Sequence, residues 1–203
     1  MDSNIVLYLD YLGTAIFAIS GALAGINRKF DPFGIFILGM VTAIGGGTLR
    51  DSMLGISPVG WLTDTNFLYV ILIGVMIAVV FRNHLNRVSK IIFIVDAIGL
   101  GLFTVTGINL SLEAGLAPGV CIILGTISAV FGGVIRDTLS NEIPLIFHKE
   151  IYASISLAGG GVYFCLLQLG IAQTWAFLVV CVIVIVLRIC AVRYSWTLPI
   201  PND

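Results

Sequence analysis

The sequence predicts an all-α membrane protein with seven transmembrane helices. Three features predict it: an apolar composition, seven long apolar segments, and a repeat that relates the first three segments to the next three. Of the 203 residues, 59% are hydrophobic and 10% are charged, and the mean hydropathy is +1.10. Soluble domains carry about 25% charged residues. The composition therefore excludes a soluble enzyme and a disordered chain, and the net charge of −1 excludes a basic nucleic-acid-binding surface.

Seven apolar segments have about the 20 residues that a helix needs to cross a bilayer. They are named spans one to seven and lie at 5–25, 33–50, 66–82, 91–110, 118–138, 151–169 and 174–192. The count depends on the sixth break, at 170–173, being a real interruption. Met1 to Asn4 lack the basic residues of a signal peptide, so span one is expected to be a permanent helix. We expect one transmembrane domain over 1–203.

The orientation is predicted from the basic residues, which concentrate in or beside the odd-numbered breaks and at the C-terminal end of span seven, while the even-numbered breaks have only Arg50, at a helix edge. These residues are Arg28, Lys29, Arg82, Arg87, Lys90, Arg136, Lys149, Arg188 and Arg193. Positive loops stay in the cytoplasm. The pattern therefore predicts an N-terminus outside and a cytoplasmic C-terminus, which requires an odd number of spans.

An internal repeat relates residues 10–58 to residues 96–144 at a constant offset of 86, with 14 identities and no gap. The identities include Asp, Arg, Pro and paired Gly, which unrelated apolar helices do not share in one register. We therefore predict a duplication, with repeat one at 5–88, repeat two at 89–170 and an added seventh helix at 171–193. Because three spans separate the copies, the second copy is expected to be inverted in the membrane.

Two glycine-rich segments occupy equivalent positions in the repeats. The first has Gly45, Gly46 and Gly47 followed by Thr48, and the second has Gly132 and Gly133. Adjacent glycines are expected to kink or break spans two and five. Backbone carbonyls that a break frees could replace part of a cation's hydration shell. The alternative is close helix packing, because small residues let two backbones approach.

Six charged residues form a matched set within or beside the spans: Asp10, Arg50, Asp51, Asp96, Arg136 and Asp137. Charges at such positions are costly and usually functional. We expect Asp10 to pair with Arg50 and Asp96 with Arg136, while Asp51 and Asp137 attract cations at the two mouths of a pathway. The alternative is that all six anchor the helices at the membrane interface.

The combination resembles the trimeric intracellular cation (TRIC) channel family, in its prokaryotic branch. The resemblance extends from Asp10 to about Arg193 and includes Gly-Gly-Gly-Thr-Leu-Arg-Asp at 45–51 and Gly-Gly-Val-Ile-Arg-Asp at 132–137. It implies a homotrimer in the cell inner membrane, with a pore in each protomer lined by spans two and five and conducting potassium. The animal members use a Lys-Glu-Val triplet in phosphoinositide binding. This triplet is absent from the sequence, so we expect ordinary membrane lipids as partners but not phosphoinositides.

Two other functions remain open at this point. A secondary transporter for a small solute such as glycine or alanine could use the same inverted repeat. A purely structural membrane protein is disfavoured, because scaffolding does not require matched units of charge and glycine. No catalytic set, cofactor motif or metal cluster is found, so we expect no enzyme activity, no cofactor and no metal beyond a permeating cation.

Overall fold

The computed structural model describes residues 3–82, 88–149 and 151–197, and these residues form an all-helical membrane protein. Its helices are α1 Ser3–Asn27, α2 Pro32–Met53, α3 Gly60–Thr63, α4 Asn66–Phe81, α5 Val88–Glu113, α6 Pro118–Leu139, α7 Ala153–Gln168 and α8 Gln173–Arg193, with a 3-10 turn at Leu145–Phe147. Five of them, α1, α2, α5, α6 and α8, are long and apolar enough to cross a membrane. The apolar helices α4 and α7 have 16 residues each.

The helix boundaries follow local signals in the sequence. Pro32 and Pro118 begin α2 and α6, where a missing backbone N–H costs nothing. Gly55, Gly115 and Gly170 follow α2, α5 and α7 with positive φ angles, which glycine adopts without strain. The break at Gly170 separates α7 from α8. The seven-span count itself stays a prediction, and the loop positions at Asn83–Arg87 used in the orientation lie outside the described residues.

Four helices form the centre of the molecule: α1 packs on α2 and α5, α5 packs on α6, and α2 crosses α6. Some contacts are reciprocal at the 86-residue offset. A Cβ on Gly46 would overlap the Ser128 carbonyl oxygen, and a Cβ on Gly132 would overlap the Thr42 carbonyl oxygen. The α2 and α6 backbones therefore touch where the glycine-rich segments cross.

The expected break at these glycines is wrong. Helix α2 runs without interruption from Pro32 to Met53, and α6 runs without interruption from Pro118 to Leu139. Glycine costs about 1 kcal/mol relative to alanine inside a helix, but the close crossing uses its lack of a side chain. Gly46 and Gly132 therefore serve close helix packing, which was the alternative to a break. A bend of either helix without a break stays a prediction.

Candidate functional site

Two buried arginines lie in the last turns of α2 and α6. Arg50 is 3% exposed and Arg136 is 1% exposed. Positive charge near a helix C-terminus is favoured by the helix dipole, but a buried guanidinium also needs anionic partners and hydrogen-bond acceptors. Each arginine finds them in its own cluster, named here the Arg50 cluster (Asp10, Arg50, Asp51) and the Arg136 cluster (Ser20, Asp96, Arg136, Asp137).

The Arg136 cluster is tightly bonded. Arg136 Nη1 donates to Asp96 Oδ1 at 2.7 Å and to Ser20 Oγ at 2.6 Å. Arg136 Nε donates to Asp137 Oδ1 at 2.8 Å. The cluster therefore joins α1, α5 and α6 through one guanidinium.

The Arg50 cluster is looser. Arg50 Nε donates to Asp51 Oδ1 at 2.9 Å, while Arg50 Nη2 lies 3.5 Å from Asp10 Oδ2. Within the described residues, Arg50 Nη1, Asp10 Oδ1 and the hydroxyl of Thr106 are buried without a hydrogen-bond partner, whereas in the Arg136 cluster Asp96 Oδ2 is the atom in this condition. Thr106 is the residue that corresponds to Ser20 at the 86-residue offset.

The aspartate that follows each arginine also holds the next loop. Asp51 Oδ2 accepts from the Gly60 backbone N–H at 3.0 Å, and Asp137 Oδ2 accepts from that of Leu145 at 3.2 Å. Asp51 is 4% exposed and Asp137 is 9% exposed. Each carboxylate therefore binds its own arginine and a backbone amide, and the attraction of cations by Asp51 and Asp137 at the mouths of a pathway stays a prediction. Burial also disfavours the view that these residues merely anchor at an interface.

Each cluster adjoins a cavity. The cavity beside Arg136 has a volume of about 450 Å³ and includes Ala24, Asn27, Arg28, Glu142 and Arg188 in its wall. The cavity beside Arg50 has a volume of about 30 Å³, which is enough for a water molecule. Its wall includes Asp10, Thr14, Gly47, Thr48 and Trp61, whose indole N–H donates to the Thr48 hydroxyl at 3.0 Å.

The two cavities lie toward opposite ends of α1. Thr14 lines the smaller one and Ala24 lines the larger one, and ten helical residues span about 15 Å. Phe17 lies between them on α1, with its ring centroid 5.0 Å from that of Phe103. The same Phe17 ring approaches Gly132 at the helix crossing. Apolar rings and packed backbone therefore separate the cavities.

Several contributing residues do not belong to the sequence-predicted site. Ser20 bonds Arg136 from 116 residues away, and no local pattern distinguishes it from other hydroxyls in the spans. Arg188 was used in the sequence only as one of the basic residues that predict the orientation, yet it is fully buried in the wall of the larger cavity. A charged residue inside the apolar run of span seven was the available signal.

The fold and the clusters define the class: a multi-pass, all-helical membrane protein with charge clusters beside two cavities. The chain belongs to the family whose model is described as "Glycine transporter", which matches residues 7–83 and 93–168. The two matched segments begin 86 residues apart. The structures it resembles are ion channels rather than enzymes, and the predicted resemblance to TRIC channels is confirmed.

Three similar proteins illustrate these relationships. The UPF0126 membrane protein of Vibrio cholerae is 38% identical over 98% of this chain and 84% of its own length. The UPF0126 inner membrane protein YadS of Escherichia coli K12 is 38% identical over 96% of this chain and 95% of its own. The structure of the TRIC trimeric intracellular cation channel orthologue from Rhodobacter sphaeroides has a TM-score of 0.91 and 31% identity, covering 95% of this chain and 100% of that one.

Proposed function

We propose that the protein is a channel for monovalent cations, with potassium as the main permeant ion and a pathway inside each protomer. The observation that carries the proposal is the pair of cavities toward opposite ends of α1, each adjoining an Arg-Asp pair of the repeat. The similarity to TRIC cation channels supports it.

The charge balance of the two clusters, counted without the other residues of the cavity walls, supports cations over anions. In the Arg50 cluster, one guanidinium faces the carboxylates of Asp10 and Asp51. In the Arg136 cluster, one guanidinium faces those of Asp96 and Asp137. With these groups ionised, each cluster carries one excess negative charge. Carboxylates at a pathway favour cations, even though both Asp51 and Asp137 are engaged in hydrogen bonds.

The proposed route runs from the smaller cavity past Gly45, Gly46, Gly47 and Thr48 to Gly132 and Gly133, and then into the larger cavity. A Cβ on Gly47 would meet Arg50 Nη2 at an ordinary contact distance of 3.7 Å, whereas a Cβ on Gly46 would overlap the Ser128 carbonyl oxygen. Conduction therefore requires the Phe17–Phe103 pair and the adjacent helix crossing to separate. The structure described here is accordingly assigned to a closed state of the route.

We further propose the inverted duplication, with repeats at 5–88 and 89–170 and a seventh helix at 171–193. The reciprocal contacts of Gly46 with Ser128 and of Gly132 with Thr42 support it, since a two-fold axis exchanges such pairs. Residues of breaks one and five and the end of α8 border the same cavity, which supports a common cytoplasmic side. We also propose a homotrimer in the inner membrane, which the names of the similar proteins support, and an N-terminus outside, which the distribution of basic residues in the sequence predicts.

A transporter of glycine or a similar small solute is the second candidate, and the description of the family model favours it. The purified protein in potassium-loaded liposomes distinguishes the two. Discrete potassium currents without saturable uptake of labelled glycine support the channel. Saturable, ion-coupled glycine uptake without such currents overturns it.

A matched pair of variants tests the route itself. Phe17→Ala removes one ring of the separating pair, and we expect it to raise potassium flux. Phe164→Ala removes a ring that packs against Tyr163, away from both cavities, and we expect unchanged flux. Equal flux in wild-type protein and Phe17→Ala, with both proteins folded, would contradict the proposed position of the route.

A further inference from the structure

Arg188 projects from α8 into the wall of the larger cavity and is fully buried. Its guanidinium carbon lies 5.1 Å from the centroid of the Phe93 ring and 4.8 Å from that of the Tyr152 ring. Arg188 Nη1 also donates to the Ile151 carbonyl oxygen at 2.9 Å. A planar guanidinium binds aromatic faces well. These contacts therefore fix the chain just before α7 against α8.

Tyr152 connects this arginine to the glycine-rich segment of α6. A Cβ built on Gly133 would lie 3.4 Å from the Tyr152 hydroxyl oxygen and 3.2 Å from Asp96 Oδ1. Tyr152 is 2% exposed. Tyr152 therefore contacts Arg188, in the cavity wall, through its ring and faces Gly133 with its hydroxyl, while Arg136 Nη2 lies 3.6 Å from the same Cβ position.

We propose that Arg188 is a positioning residue that holds Tyr152 across the inner end of the pathway and keeps it closed. The inference rests on the proposed channel function. Arg188 acts through Tyr152: the guanidinium covers the face of the ring, and the hydroxyl at the end of that ring stays against Gly133. The guanidinium is permanently charged, so a cation moving from Gly133 into the cavity would meet its positive charge until Arg188 swings aside.

Chemical modification of introduced cysteines tests the closure without requiring conduction. In a chain with Cys121, Cys165, Cys181 and Cys190 replaced by Ala, Gly133→Cys reports on the space behind Tyr152. Gly47→Cys is the matched control, because it is the equivalent position in the other half and has room for a side chain. The probe is a small cationic methanethiosulfonate reagent, applied to the protein in liposomes.

The expected result is selective. Arg188→Lys keeps the charge but loses the planar stacking, and it should raise the modification rate at position 133 about tenfold, as the strength of a desolvated cation–π contact implies. Tyr152→Leu should do the same, whereas Tyr152→Phe removes the hydroxyl that faces Gly133 but keeps the ring against Arg188, and should raise the rate less. The rate at position 47 should not change in any of these variants.

Equal increases at positions 133 and 47 would indicate general loosening and overturn the proposal, as would an unchanged rate at position 133. If Arg188→Lys does not fold, Phe93→Leu removes one aromatic face of the same contact and should give a smaller but selective increase. Wild-type protein without potassium current would defeat the proposed function alone, because the comparison of modification rates needs no current.

Discussion

The Arg136 cluster and the Arg50 cluster contain the same Arg-Asp pair at equivalent helix ends, but their surroundings differ. Arg136 donates to Asp96 at 2.7 Å and also to the Ser20 hydroxyl oxygen at 2.6 Å. Arg50 lies 3.5 Å from Asp10, and the corresponding hydroxyl, on Thr106, forms no hydrogen bond among the described residues. The comparison indicates that the duplication placed the same charged residues in both halves of the chain. The helices that pack around each arginine determine how many hydrogen bonds it makes and how short they are.

The largest expected effect comes from removing the tightest acidic partner. Asp96→Asn keeps the shape but leaves Arg136 with one carboxylate, and it should lower the free energy of unfolding by about 3 kcal/mol. Asp10→Asn should cost less than Asp96→Asn, since the Arg50 pair is longer and the Asp10 side chain is 13% exposed against 0% for Asp96. Unfolding in detergent micelles measures both. Equal losses of unfolding free energy in the two variants would contradict the proposed difference between the clusters.

Exchanging both charges of an ion pair tests the same difference between the Arg136 cluster and the Arg50 cluster. Asp96→Arg combined with Arg136→Asp should recover part of the stability that either single variant loses, because the two side chains meet directly. Asp10→Arg combined with Arg50→Asp should recover less. The coupling free energy from each double-mutant cycle is the measurement, and zero coupling in the Arg136 cluster would show that its ion pair is not an energetic unit.

Variants at the crossing of α2 and α6 should cause the next largest loss in the free energy of unfolding. Gly132→Ala and Gly46→Ala push a methyl group into a backbone carbonyl oxygen and should each cost about 2 kcal/mol as overpacking. Gly47→Ala is the control, because the nearest atom to its new Cβ is Arg50 Nη2 at 3.7 Å. Thermal unfolding followed by size-exclusion chromatography compares them. A Gly47→Ala protein as unstable as the other two would mean that helix propensity, not crossing, sets the cost.

A smaller difference is expected between the two hydroxyls. Ser20→Ala removes a hydrogen bond to a buried charged group and should cost about 1.5 kcal/mol. Thr106→Val replaces a buried hydroxyl without a partner by a methyl group and should be neutral or stabilising. The same unfolding measurement applies, and destabilisation by Thr106→Val comparable to that by Ser20→Ala would show that both halves are equally bonded.

The smallest effect is expected at the opening of the larger cavity, where Arg28 contacts Glu142. Both side chains are partly or largely exposed, and exposed ion pairs contribute about 0–1 kcal/mol. Arg28→Ala should therefore change stability by less than about 0.5 kcal/mol. Titration with salt checks the assignment: a large, salt-independent loss would indicate that this contact is part of the buried cluster.

The positions of Asp96 and Arg136 illustrate how far the sequence could predict the site. Their matched recurrence in both repeats suggested the pair, and the structure brings the two side chains into contact across 40 residues. Ser20 could not be found in this way. It lies on a third helix, and the hydroxyl at the equivalent position, Thr106, makes no such bond.

The glycine-rich segments show a different limit. Adjacent glycines lower helix propensity locally, and that property alone suggested a break at Gly45–Gly47. The packing partner is Ser128, about eighty residues away, and its carbonyl oxygen occupies the place of the missing side chain. Local propensity contains no information about this partner, so the sequence could not distinguish a break from a crossing.

By itself, the sequence determined the membrane class, the long apolar helices and the residues that carry charge into them, because hydropathy and helix signals act over neighbouring residues. Tertiary structure alone decided which acceptors each buried arginine receives, that Arg188 lies against Phe93 and Tyr152, and that Gly46 and Gly132 are contact points. A buried charge or a backbone without a side chain is stabilised by atoms from other helices. Those atoms come together only when the chain has folded.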